Sequence, residues 1–291
     1  MSVIETINII DPHIHLFNFK QGQYHWLKAE NPPHWPDKAI IAKPFNEQDL
    51  HLKPPLSLAG FVHIEAGFDN KQPWREIAWL EQHCRKPFRS IAFSDLLQPP
   101  KNFQTQVDNL LIFKSVIGIR HIFDDQALAL LTHENTVENL AYLASKQLII
   151  EVQMPITALK AVDKLITLNH KLTLKIVINH AGFPPLLADH KCWQQWLQGL
   201  KLLSQQPRCY IKCSGWEMRS RHYSFTWVNK VLANCIHYFG EQRVMLASNF
   251  PLCNFTQNYQ QLWQNYRTLA LNSQQLNLLT YKNAHTIYQI T

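Results

Sequence analysis

Short apolar runs rich in β-branched residues recur along the chain at Asn8–His15, Leu58–Glu65, Arg89–Asp95, Val116–Ile122, Leu148–Met154, Lys175–His180, Arg208–Ser214 and Arg243–Ser248. They do not alternate strictly between apolar and polar, as expected of strands buried on both faces of a parallel sheet. Helix-length amphipathic stretches lie between them. Glu134–Lys146 places Val137, Leu140, Ala141 and Ala144 on one helical face. Trp74–His83, Ala158–Asn169, Lys191–Leu203, Phe225–Phe239 and Tyr259–Leu269 read as helices too. Strands alternating with helices predict right-handed βαβ units. Eight units over 291 residues predict a closed α/β barrel, the (β/α)8 TIM barrel, as a single domain spanning 1–291. No Gly-rich phosphate loop follows an early strand, which argues against a dinucleotide-binding fold.

The connection after the first strand, residues 17–57, is long and holds Pro32, Pro33, Pro36, Pro44, Pro54 and Pro55. Loops of that length often serve as lids or binding loops. Its aromatic residues Tyr24, Trp26 and Trp35 either cover a pocket or pack over the barrel rim.

Composition narrows the function classes. At 46% hydrophobic and 17% charged residues, the chain can bury a large core, which excludes intrinsic disorder. The net charge of +7 is scattered, with Arg85, Lys86 and Arg89 as its densest cluster. That cluster follows a helix, where cations favour the negative end of the dipole. Without a basic run or a recognised motif, nucleic acid is not the expected partner. An anionic small molecule is a better use of the charge. The six cysteines form no CxxC pair, which fits reduced thiols in a cytoplasmic protein. No apolar run approaches the roughly 20 residues that span a bilayer, so no membrane is expected. Met1–Asn8 lacks the charged start and apolar core of a targeting sequence. The oligomeric state is not legible.

Candidate chemistry gathers at the C-terminal ends of the strands, the face where barrels of this class carry their sites. His13 and His15 stand at i and i+2 at the end of the first strand, so their imidazoles share a side. They form half of a metal site or a pair of donors to an oxyanion. With 15 histidines, about one such pair arises by chance, so its position gives it weight. His180 ends the sixth strand, and Asn249 follows the eighth, where barrel hydrolases place a general base. Arg120 offers a planar fork for a carboxylate, with His121 beside it. Glu151 on the fifth strand is the nearest replacement base, with Gln153 on its face. Glu65, Lys212 and Ser214 are further candidates at the mouth.

Together these motifs resemble the amidohydrolase-related barrel hydrolases, in particular the branch of sugar-lactone and 2-pyrone-4,6-dicarboxylate lactonases. Asp11-Pro12-His13-Ile14-His15-Leu16-Phe17 resembles the family's opening D-x-H-x-H-x-[FW], and Tyr24-His25-Trp26 resembles the Y-x-W that follows. Phe61–Ala66, Gly118-Ile119-Arg120-His121, Asn179–Pro184, Lys212-Cys213-Ser214-Gly215 and Asn283-Ala284 are similar to later motifs in the same order. The resemblance spans nearly the whole chain. It implies hydrolysis of a lactone or similar cyclic ester bearing an anionic group. His13, His15, His180 and the strand-eight residue would be catalytic, and Arg120, His121, Glu151 and Tyr24 would bind substrate. The wider superfamily holds one or two divalent metals with such residues, while some members of this branch work without one. If a metal binds here, the resemblance implies His13, His15 and His180 as its ligands, and such imidazoles favour zinc over hard, oxygen-preferring cations.

Two positions depart from the pattern. The family's S-D-x-P is Ser248-Asn249-Phe250-Pro251, and the aspartate before the strand-six histidine is Asn179. Both changes remove negative charge from the mouth, so any divalent metal is expected to be weakly bound or absent. They leave as an alternative to a lactone hydrolase a catalytically impaired relative that binds small molecules, and the resemblance to the superfamily implies a second, a metal-assisted decarboxylase.

Overall fold

The computed structural model describes residues 6–290; residues 1–5 of the Met1–Asn8 segment lie outside the described part. Its strands are β1 (Ile7–Ile14), β2 (Leu56–Ile64), β3 (Phe88–Phe93), β4 (Val116–Ile122), β5 (Ile149–Gln153), β6 (Lys175–Ile178), β7 (Cys209–Cys213) and β8 (Val244–Leu246). They form one sheet in sequence order, each pairing in parallel with the next. The barrel is drawn shut at the C-terminal ends of β1 and β8. There Asn249 N donates to His13 O at 3.0 Å and His15 N to Phe250 O at 2.7 Å. The buried Asp11 braces the same seam, its Oδ1 accepting from the amides of His13 and Ser248.

Helices fill the crossovers, including one at Pro100–Leu110 that no expectation named. It begins with proline in its first turn, where the missing N–H costs nothing. It buries Phe103, Val107 and Leu110 at helical spacing. The main core lies between strands and helices. A second cluster of Ile10, Val62, Ile64, Ile91, Ile149, Val177 and Met245 packs with Ala284, Ile287, Tyr288 and Ile290 from the last helix and the residues after it. This terminal segment thus plugs the barrel interior at the end away from the mouth. No helix among the described residues is long and apolar enough to cross a membrane. All six cysteines are free.

The long connection after β1 is tied down over the barrel. Phe17 and Phe45 exchange backbone hydrogen bonds at 2.9 and 3.0 Å, and Trp26 Nε1 donates to Ala66 O at 2.8 Å. Arg221 Nε donates to Asp37 Oδ2 at 2.7 Å while its guanidinium lies over Phe255, 4.0 Å from the ring centroid. Trp35 meets the same Phe255 edge-on at 5.6 Å.

Candidate active site

A cavity of about 990 Å³ opens at the C-terminal ends of the strands. His15, His180, Arg120, His121 and Asn249 line it, with Trp26, Pro32, Pro33 and Trp35 from the long loop as one wall. The loop aromatics therefore divide: Trp26 and Trp35 face the cavity, and Tyr24 does not. Tyr24 is buried among Phe17, Phe19 and Phe68, and its hydroxyl accepts from Asn18 N at 2.7 Å. Its place in a family-like motif had suggested a substrate contact, but the side chain is spent anchoring the loop.

Three imidazoles converge. The His13 ring centroid lies 5.1 Å from that of His15 and 4.6 Å from that of His180. His15 Nδ1 is 2.9 Å from Ile64 O, so it carries the proton and donates, leaving Nε2 as an acceptor. His180 Nδ1 is 3.1 Å from Ser214 Oγ. Burial holds His13 and His15 well below the usual histidine range and brings His180 down to about 3, with neighbouring cations adding to it. All three are uncharged at neutral pH. His13 is fully buried behind the lining, and its Nε2 has no hydrogen-bond partner.

Local backbone geometry sets the side chains of His180 and Asn249. His180, Ala181, Phe183 and Asn249 all have φ between 50° and 60°. Non-glycine residues adopt this left-handed conformation at a cost of about 1–3 kcal/mol, and such residues cluster at functional sites. Gly215, at φ 69°, passes so close to His180 that a Cβ there would lie 2.5 Å from its Nδ1.

Asn249 keeps a carboxylate close by, on a different element. Its Nδ2 donates to Glu217 Oε1 at 2.6 Å, leaving Oδ1 as the free acceptor. Glu217 sits in the short helix Trp216–Arg219 after β7, and burial pushes its carboxyl up to about 7. No spacing or motif singled out Glu217, because a helical turn beyond a strand end carries no period.

Arg120 lines the cavity but is already engaged. Its Nε donates to Glu65 Oε1 at 2.8 Å, Nη2 to Glu65 O at 2.9 Å and Nη1 to Gln153 Oε1 at 3.2 Å. Burial raises the Glu65 carboxyl, and Arg120 opposes that rise. His121 Nδ1 accepts from Leu96 N at 3.1 Å. Asp95, Asp124 and Asp125, which no sequence signal picked out, add acidic side chains to the lining. Glu151 does not reach the cavity. It is fully buried, with Oε2 2.5 Å from Lys212 Nζ and Oε1 accepting from Tyr288 at 2.7 Å. Its strand position is as expected, but the side chain faces the barrel interior and serves as a counter-ion. Lys212, drawn down to about 8 by burial, remains a cation at neutral pH beside it.

Three imidazoles suggest a metal, and the donor set decides against a fit. Among the described residues no group of three or more His, Cys, Asp or Glu side chains is arranged to hold one. The strand-eight ligand is a neutral amide already bound to Glu217, and the Lys212 ammonium stands 3.3 Å from His13 Nδ1. A dication would meet neutral imidazoles and a neutral amide, with Glu65 of the lining already paired to Arg120 and the Lys212 cation behind His13.

Residues 10–290 match the model of the amidohydrolase family designated Amidohydro_2. The chain belongs to that family. It is similar to an uncharacterized protein, y4mH, of Sinorhizobium fredii, with 25% identity over 99% of this chain and 100% of the relative. It is also similar to L-fucono-1,5-lactonase of Burkholderia multivorans, with 23% identity over 87% of this chain and 85% of that enzyme. Among solved structures, an amidohydrolase from Burkholderia multivorans with bound zinc superposes with a TM-score of 0.78, at 19% identity, over 97% of this chain and 99% of the other.

Proposed function

We propose that the protein hydrolyses a lactone or similar cyclic ester at this mouth. The convergence of three uncharged imidazoles at a cavity of substrate size carries that reading. The lactonase among the relatives supports it. Ester hydrolysis needs an acceptor for a water proton and donors for the oxygen that becomes an oxyanion. His15 Nε2 is an acceptor in the lining, and Asn249 Oδ1 is a second that can hold the water. Water adds to the ester carbonyl carbon and its proton passes to His15. The carbonyl π-bond re-forms as the ring C–O bond breaks, and the proton returns to the leaving alkoxide. The product is an open hydroxy acid.

The lining bears on the substrate's charge. Arg120 is bound to Glu65, and among the described residues of the lining Glu65, Asp95, Asp124 and Asp125 face only Arg120 and Arg219 as fixed cations. A hydroxylated lactone with its ring against Trp26 or Trp35 suits this surface better than a dicarboxylate. An anionic substituent, the sequence-based expectation, requires Arg120 to exchange Glu65 for the ligand. The test is turnover by the wild-type protein, treated with chelator, on neutral sugar lactones and on pyrone carboxylates. Hydrolysis of neutral lactones with little of the carboxylates is expected. Preference for the carboxylates restores Arg120 as an anion grip, and no hydrolysis of either class removes the lactonase reading.

A further inference from the structure

We propose that Lys212 fixes His13 as the Nε2–H tautomer, withdrawing this histidine as a metal ligand. The inventory of donors and acceptors leads there. An ammonium has three N–H donors and no acceptor. Lys212 Nζ has three acceptors around it: Glu151 Oε2 at 2.5 Å, Pro12 O at 2.8 Å and His13 Nδ1 at 3.3 Å. The Glu151 carboxylate, itself fixed by the Tyr288 hydroxyl, keeps Lys212 a cation inside the barrel. His13 Nδ1 must then accept. The single proton of a neutral imidazole lies on Nε2, which is buried without a partner.

An orphaned buried N–H is uncommon enough to call for an explanation. On one strand face, His15 presents an acceptor and His13 a donor, because Ile64 O sets one ring and Lys212 the other. His13 Nε2, closed off behind the cavity lining, then holds a proton and not a lone pair. A metal ion requires a lone pair at that nitrogen.

Histidine-labelled protein read by multiple-bond ¹H–¹⁵N correlation at pH 7 tests it directly, with the His13 signals assigned by their loss in His13→Gln. The Nε2–H form is expected. An Nδ1–H form or a doubly protonated ring overturns the proposal. Lys212→Met alone strands the Glu151 charge, so the companion variant is Lys212→Met/Glu151→Gln, which removes both charges. In it an Nδ1–H population should appear, and calorimetry should show Zn²⁺ binding at least tenfold tighter than in wild type. An unchanged tautomer or an unchanged zinc affinity in the folded variant rejects Lys212 as the determinant. Neither readout needs a substrate, so failure here is distinct from an absence of lactone turnover.

Discussion

Asn249 has no titratable group, yet its amide rests on a carboxylate that ionises only near neutrality. Between about pH 4.5 and 7 the folded protein holds a proton on Glu217 that the unfolded chain has released. Stability from this group is therefore present at low pH and lost as pH rises through 7. Asn249→Asp is nearly isosteric and places an acceptor in the cavity lining, against Glu217. Two carboxylates that close share a proton, so one of them titrates high. We predict at least a tenfold gain in kcat/KM for lactone hydrolysis, about 1.4 kcal/mol in the transition state, rising through neutral pH as the shared proton leaves. Adding Glu217→Gln should move that rise to lower pH. A pH–rate profile for each variant measures this, and lower turnover for Asn249→Asp shows that the amide itself is needed.

Strand and turn determine what was legible beforehand. All eight strands lie within two residues of their apolar runs, because strands buried on both faces must be apolar throughout. β8 stops at Leu246; Ala247 N still donates to Cys213 O of β7, and Ser248 and Asn249 then turn to Asp11 and His13 of β1. The histidines were found through strand ends and parity. Glu151 was misplaced because parity gives the face and not whether an inward side chain reaches the mouth. Glu217 and the acidic lining stand on turns, where no period exists. The turn after β7 also carries a steric test. Gly215→Ala combines a left-handed φ with a Cβ 2.5 Å from His180 Nδ1. About 1–3 kcal/mol of stability should be lost. The ring must also shift off Ser214, cutting kcat more than it raises KM. Thermal unfolding together with steady-state kinetics checks both effects; a wild-type kcat would mean that the placement of His180 does not matter.

Across the whole molecule, charge and site separate. The chain is +7, while the cavity lining has more carboxylates than cations, so global charge guides poorly to what the mouth accepts. The barrel brings residues 13, 15, 180 and 249 together from three distant stretches, and its terminal helix seals the interior in which Lys212 and Glu151 pair. The most direct measurement is kcat/KM for the best lactone, wild type against His15→Gln, in metal-free buffer, with circular dichroism confirming the fold. Removing the His15 acceptor should lower kcat/KM by about 10²–10⁴. A His15→Gln protein that is folded and hydrolyses the lactone at the wild-type rate would contradict a site built on the converging imidazoles.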